Sequence, residues 1–402
     1  MKVTIISDIP LSRKNGTAVA AANLIESLRA KGHEVRVVCP DKDKKGKESY
    51  YVAETRSFGP FDGYVKKNDV ALAKADDDIL YSAIDGADIV HCMMPFSLSR
   101  RAADIARALG IPVSAGFHCQ AENVTNHLGL MNSKALNKAI YRRFYRVLYG
   151  KCDCVHYPTV FIKDEFESSV KKSTRGYVIS NGVDEAFFKG ERKARTDGKF
   201  VILCTGRYSR EKNQSVLIDA VKKSAHEKDI QLVFAGAGPM EGALRRRAEG
   251  LTNAPVFKFF TREELVDVIH SADLYVHTAK VEIEAISCLE AICGGLAPVI
   301  ADSEKSATRA FAMGGHNLFR PSDSADLAEK IDFFMENPYE KEKCALLYKG
   351  FAAELAKSRC MDEMENMLAE TVLENKRAAY GIPVTENSRR ASVLGYTDGG
   401  GR

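Results

Sequence analysis

The sequence predicts an α/β protein built as two doubly wound, parallel-sheet domains. Three observations carry that reading. Short β-branched runs alternate with helix-period segments almost throughout the chain. The runs fall into two series that divide near Ser180-Asn181-Gly182. A length of 402 residues, at about 100 to 200 per domain, leaves room for two cores that need neither disulfides nor metals.

The first series comprises Val3 to Ser7, Glu34 to Cys39, Ile89 to Cys92, Val113 to Phe117 and Cys154 to Tyr157. A helix over Ala18 to Ala30 joins the first two and stops at Lys31-Gly32, since glycine takes the positive φ that ends a helix. The second series begins with Tyr177-Val178-Ile179. It continues through Phe200 to Cys204, Gln231 to Ala235, Val256 to Phe260, Leu274 to His277 and Ala297 to Ile300. The expected boundaries are 1–178 and 179–365, then a helix over 366–380 packing back toward the first domain and a polar, disordered tail over 381–402. Such sheets bind ligands outside the carboxyl ends of their strands, so the two domains are expected to face each other across a cleft.

A composition of 45% hydrophobic and 28% charged residues excludes a collagen-like or wholly disordered chain. No run of 18 apolar residues occurs, and Met1-Lys2-Val3-Thr4-Ile5-Ile6 reads as a strand. Neither a transmembrane helix nor a signal peptide is expected, which points to the cytoplasm. The ten cysteines sit mostly in apolar runs such as Val37-Val38-Cys39 and Ile202-Leu203-Cys204 and read as reduced core residues. Cys152 and Cys154 lack a second Cys/His pair at zinc spacing, so no metal is expected. The net charge of +4 conceals an asymmetry. Residues 1–180 hold 27 Lys and Arg against 20 Asp and Glu, giving +7, whereas residues 181–402 hold 31 against 34, giving −3. This directs the first half toward an anionic surface or ligand; nucleic acid is not an expected partner.

The chemistry concentrates in Val281 to Ile292. Glu282 stands at the mouth of a strand, and Glu290 lies eight residues on inside the next helix, so the two carboxylates can hold different parts of one ligand. Between them the N–H groups of the helix start form an anion site fit for a phosphate. The same pattern also fits an amphipathic helix with one solvated and one capping Glu. Upstream, Gly206 allows close approach, and Arg207 and Lys212, five apart, can pair with a diphosphate. Gly236 and Gly238 end a third strand, where small residues let a ligand base or the next domain come near.

Taken in order, these pieces resemble glycosyltransferase family 4, the retaining nucleotide-sugar enzymes of GT-B fold, with two Rossmann-like domains. The resemblance spans roughly residues 1 to 375. It rests on Asn15-Gly16, Gly32-His33-Glu34-Val35, Ile179-Ser180-Asn181-Gly182-Val183-Asp184, Gly206-Arg207 with Glu211-Lys212, Gly236-Ala237-Gly238-Pro239 and the pair Glu282/Glu290. It implies that Arg207 and Lys212 neutralise the donor diphosphate and the charge that develops on it, without a metal or other cofactor. It further implies that Glu290 accepts from the ribose hydroxyls, that Glu282 holds hydroxyls of the sugar, that Gly16 lets the first loop approach the phosphate and that His118 lies beside the reacting sugar. Donor contacts are implied for Ile283, Glu284 and Ala285 as well. The family often has Gly-Phe-Gly or Ser-Phe-Gly after the first Glu, where this chain has Ile283-Glu284-Ala285; the missing glycine bears on how closely the backbone meets the sugar.

From Asn123 to Cys152 there is no acidic residue. Leu136, Ile140, Phe144 and Leu148 form one helical stripe, and Lys138, Arg142 and Arg146, with Arg143 beside them, form another. Such a helix suits peripheral attachment to the inner, anionic face of a membrane and a lipid acceptor. It equally suits a helix burying its stripe in its own domain, and one stripe cannot do both. The stretch His118 to Asn123 also looks like the diacylglycerol glucosyltransferase subgroup of the family, which implies a UDP-sugar and an acceptor such as diacylglycerol or a glycolipid. Other readings are transfer to a non-lipid glycan or small molecule, a UDP-sugar epimerase, and a non-catalytic sugar-nucleotide binder. A nicotinamide-dependent dehydrogenase would need a Gly-rich turn after Val3 to Ser7, where Asp8-Ile9-Pro10-Leu11-Ser12 stands instead.

Overall fold

In the computed structural model the described residues are 1–11, 16–57, 59, 62, 71–126, 129–190, 195 and 197–381, apart from the side chain of Phe351. Asn15 and the expected tail from residue 382 lie outside them. The chain divides into two units, Met1–Asn181 with the segment from Ser358, and Gly182–Lys357.

Among the described residues the first unit holds seven strands: β1 (Lys2–Ile6), β2 (Glu34–Cys39), β3 (Tyr50–Val52), β4 (Ile89–Cys92), β5 (Val113–Gly116), β6 (Cys154–Tyr157) and β7 (Gly176–Val178). They pair in the order β3-β2-β1-β4-β5-β6-β7, all parallel. Helices cover both faces, so β4, β5 and β6 are buried along their whole length. Each Val, Leu or Ile taken from water there stabilises the unit by about 1.5–3 kcal/mol. The second unit holds β8 (Phe200–Thr205), β9 (Ile230–Ala235), β10 (Val256–Lys258), β11 (Leu274–His277), β12 (Pro298–Ala301) and β13 (Leu318–Phe319). Their order is β10-β9-β8-β11-β12-β13, again parallel. The order reverses between β1 and β4 in one sheet and between β8 and β11 in the other, which opens a crevice at the carboxyl ends of those strands.

Two expectations need correction. The run Tyr177-Val178-Ile179 does not open the second series: His156 pairs with Tyr177 and Tyr157 with Val178, making β7 an edge of the first sheet. The second unit also stops at Lys357 rather than 365. The helix Lys357–Ala379 buries Met361, Met364, Met367 and Leu368, and its Glu374 pairs with Arg175 while Glu365 Oε1 stands 2.7 Å from His33 Nε2. These contacts assign it to the first unit from Ser358 on. The first helix, Gly16–Ala30, ends as expected, with Gly32 at φ 82° and His33 N–H donating to the Leu28 carbonyl at 3.0 Å.

Candidate functional site

In the second unit β8 runs into Gly206, whose φ of 125° is open to glycine alone without strain. The loop that follows carries Arg207 and ends in a single turn at Arg210–Lys212. The Arg207 guanidinium has no ion pair or hydrogen bond among the described residues. The loop after β9 packs directly on this one: a Cβ at Gly236 would lie 2.1 Å from the Gly206 carbonyl oxygen, and one at Gly238 2.5 Å from that of Tyr208. At Gly236 and Gly238 the missing side chains thus make room for backbone of the same unit.

The exit of β11 is fastened to the Lys212 loop. Thr278 Oγ1 donates to the Lys212 carbonyl at 2.6 Å, and Lys280 N–H to the Glu211 carbonyl at 2.8 Å. Glu282 is anchored in turn by Ala307 N–H, which donates to its carbonyl at 2.9 Å. These links bring the Lys212 ammonium onto Glu282 Oε1 as an ion pair. His277 Nε2 stands 3.3 Å from the same oxygen, near enough for an electrostatic contact but not aligned as a hydrogen bond. Burial would push the Glu282 carboxyl up; the Lys212 ammonium and His277 outweigh it and hold the group down at about 2.

Beyond Glu282, Ile283 is half-buried and Glu284 buried. Ala285 takes the left-handed conformation, φ 62° and ψ 67°, directly before the helix Ile286–Cys293. Ala285 supplies no side-chain cap to that helix start. Glu290 lies in the helix, and burial pushes its carboxyl up to about 7, with Arg262 opposing and Asp184 adding to the rise. Asp184 itself pairs with Lys357 at 2.7 Å and Arg262 at 3.0 Å. The structure therefore gathers Gly206, Arg207, Lys212, Glu282 and Glu290 at the carboxyl ends of β8 and β11 or in the helix that follows.

In the first unit, Gly16 opens the first helix, and a Cβ there would meet no described atom within 4 Å. The next residue, Thr17, donates through Oγ1 to the His118 carbonyl at 3.4 Å. His118 follows β5, and Gly116 makes room for its ring, since a Cβ there would stand 2.5 Å from Nε2. His118 shares a small cavity with His91, His156, Asn181, Met361 and Met364. Burial, then the neighbouring His156 and His91, keep His118 well below the usual histidine range. Burial likewise takes His91 to about 3 and His156 to about 4.

The basic helix spans Lys134–Val147. Its buried face is Asn137, Tyr141 and Phe144, followed by Leu148, whereas Leu136 and Ile140 are only half-buried. The expected apolar stripe is thus rotated. The cause is Glu122, buried without a cation, whose oxygens accept from Asn137 Nδ2 and Tyr141 Oη at 2.8 Å each. Those two polar side chains are drawn inward and the aliphatic ones are displaced toward the edge. Lys138, Arg142, Arg143 and Arg146 are exposed and make no ion pair among the described residues.

Residues 14–187 match the family described as Glycosyltransferase Family 4, and residues 186–348 match that described as Glycosyl transferases group 1. The chain belongs to glycosyltransferase family 4. It is accordingly a retaining hexosyltransferase of GT-B fold. The alpha-monoglucosyldiacylglycerol synthase of Streptococcus pneumoniae is 25% identical over 97% of this chain and 95% of its own. The catalytic domain of cholesterol-alpha-glucosyltransferase from Helicobacter pylori is 46% identical over 38% of this chain and 97% of that one, with a TM-score of 0.37. Anabaena Alr3699/HepE, solved in complex with UDP and glucose, shares the fold at a TM-score of 0.68, with 15% identity over 92% of this chain and 99% of that one.

Sequence reasoning passes over His277, Tyr275, Arg262 and the histidines at 91 and 156. For two of them a signal is present: polar residues at alternate positions of the otherwise apolar run Leu274-Tyr275-Val276-His277 share one face of a strand.

Proposed function

We propose that this transferase moves a hexose from a nucleoside-diphosphate sugar, with UDP-glucose the favoured donor, to a membrane lipid such as diacylglycerol or a glycolipid. The observation that carries the donor half is the convergence of Lys212 on Glu282 beside Gly206 and the free Arg207 guanidinium. Arg207 and Lys212 meet the diphosphate and stabilise the charge that grows on it as the glycosidic bond breaks. Glu282 holds sugar hydroxyls and Glu290 accepts from the ribose. The acceptor oxygen attacks the face from which the diphosphate leaves, and its proton passes to the departing phosphate oxygen. The two cations supply the charge compensation, so no metal is required. Turnover in excess chelator should equal that in magnesium, and a loss restored by magnesium would overturn this point.

The lipid acceptor is supported by the name of the Streptococcus pneumoniae relative and by the unpaired cations of the helix Lys134–Val147. With Phe144 and Leu148 committed to the core, this helix meets a membrane chiefly through charge. Each Lys or Arg near an anionic surface contributes about 1 kcal/mol. No helix among the described residues is long and apolar enough to cross a membrane; the attachment proposed here is peripheral, on the inner face.

Two measurements test the reading. In a thermal-shift series of UDP, GDP and their sugars, a donor at a hundredfold excess over Kd stabilises by about 2.7 kcal/mol; no shift with any UDP compound would remove the favoured donor. With Arg142→Glu and Arg146→Glu combined, sedimentation with anionic vesicles and turnover of diacylglycerol should both fall. If both stayed unchanged while a soluble glycan was glycosylated, the acceptor would not be a lipid.

A further inference from the structure

Glu282 presents a problem that the donor site must solve. Both groups near its carboxylate, the Lys212 ammonium and His277 Nε2, face Oε1, and Oε2 has no partner among the described residues. Oε2 is therefore the oxygen open to a sugar hydroxyl. Lys212, however, is also the cation proposed to meet the diphosphate. When it turns toward that group, a carboxylate only 11% exposed loses its counter-charge in a medium that tolerates unpaired anions poorly.

A second nitrogen, His277 Nε2, already stands 3.3 Å from the same oxygen, short of hydrogen-bond alignment. Tyr275 and His277 are two apart on β11, so both point to one face of the sheet. Their contacts form a chain: Thr205 Oγ1 at 2.8 Å from Tyr275 Oη, and Tyr275 Oη at 3.1 Å from His277 Nδ1. Thr205, Tyr275 and His277 are all buried. Burial holds the Tyr275 phenol well above its usual range, so it keeps its proton. Nδ1 can accept that proton, and in that tautomer the ring hydrogen sits on Nε2, 3.3 Å from Glu282 Oε1.

We infer that His277, set in orientation by Tyr275, is a positioning residue that keeps Glu282 in place while Lys212 engages the donor diphosphate. This rests on the donor roles proposed for Glu282 and Lys212. It adds that the carboxylate has two alternative partners at one oxygen, so that the lysine is released in the transition state without disturbing the sugar-facing Oε2. The effect belongs to turnover more than to donor affinity, because the lysine is most needed at the diphosphate as charge builds there.

The test follows UDP release from UDP-glucose with diacylglycerol in anionic vesicles, with kcat, donor KM and melting temperature recorded for each variant. His277→Phe should lower kcat about 100-fold while donor KM stays within roughly threefold, the pattern of an interaction made in the transition state. His277→Gln, whose amide N–H can stand in for Nε2–H, should recover most of the loss. Tyr275→Phe should lower kcat by about tenfold, since the ring keeps its place but loses the bond that orients it. Wild-type kcat in His277→Phe, or His277→Gln no better than His277→Phe, would overturn the inference. If His277→Phe fails to fold, Tyr275→Phe decides alone, and wild-type kcat in that variant overturns it. A Glu282→Ala arm separates the two levels: inactivity there with normal His277 variants sinks only the positioning role, whereas activity there sinks the donor reading beneath it.

Discussion

At the carboxyl ends of its strands the first unit gathers His91, His118 and His156, which burial keeps neutral. The second unit gathers Arg207, Lys212 and an ionised Glu282. Both sheets are parallel and reverse their order at one point, so the scaffold is the same and the strand-end residues set the chemistry. In the first unit two ring nitrogens, His91 Nε2 and His156 Nδ1, lack partners among the described residues, and besides the histidines the cavity is lined by methionine, aliphatic carbon and the amide of Asn181. That environment suits an uncharged group such as an acceptor hydroxyl. The second pairs opposite charges near a helix start to which Ala285 supplies no side-chain cap, which suits a polyanion.

The contrast predicts its own largest effect. Lys212→Ala and Glu282→Ala should each lower turnover by about 100- to 1000-fold, with the second sheet intact by circular dichroism. Near-normal turnover in either would remove the charged centre from the reaction. Lys212→Ala should in addition destabilise the second unit, by up to about 3 kcal/mol, because it leaves Glu282 unpaired with only His277 beside it.

Acid should separate the units next. A histidine whose folded pKa is lowered binds its proton more readily when unfolded, so its contribution to stability is present above pH 6.5 and fades as pH falls toward the folded value. For His91 and His156 that window runs from 6.5 to about 3 and 4, and His118 acts in the same sense. Asp8 in the same unit, pushed up to about 7 by burial, opposes them, but it is one group against three. In the second unit Glu290, raised to about 7, becomes more favourable as pH drops from 7 to its unfolded range. Glu282, held at about 2, loses its contribution only as pH falls below about 4.5. Hydrogen exchange at pH 5 against pH 7 should therefore show β4, β5 and β6 losing protection while β8 and β11 keep theirs. Loss from both sheets together would erase the contrast.

How far these features can be read from sequence depends on the range of the interaction behind them. Strands such as Ile89–Cys92 and Leu274–His277 announce themselves through local apolar runs, and Glu282 and Glu290 through spacing. The sheet to which Tyr177 belongs is decided by pairing with His156, a contact that no local pattern carries. The short edge strands Tyr50–Val52 and Leu318–Phe319 are too brief for any period to show. The buried face of the helix Lys134–Val147 escapes a hydrophobicity argument, which ranks Leu136 above Asn137, because Glu122, distant in sequence from both, needs the amide. Lys212 and Glu282 each stand out in the sequence, but the ion pair joining them depends on Thr278 and Lys280 fastening one loop to another.

The smallest expected effect lies at Ala285. Where family sequences often carry glycine, this chain holds an alanine at φ 62° immediately before the helix that bears Glu290. An L-residue in that conformation costs roughly 1–2 kcal/mol, and strain of this kind persists where the surrounding contacts over-determine it. Here they are the buried Glu284 on one side and Ala307 bonded to the Glu282 carbonyl on the other. Ala285→Gly removes the clash but adds freedom to the unfolded chain, about 0.4–1 kcal/mol in the opposite direction. The net gain should be at most about 1.6 kcal/mol, read as a small rise in melting temperature confined to the second unit. In the first unit the left-handed non-glycine residues among those described are Ser49 and Lys171, and neither opens a helix. If turnover changes little while the melting temperature rises, the strain is only a cost of the sequence at this turn. If turnover falls although stability rises, the strained alanine is holding Glu282 and the helix start in register for the donor.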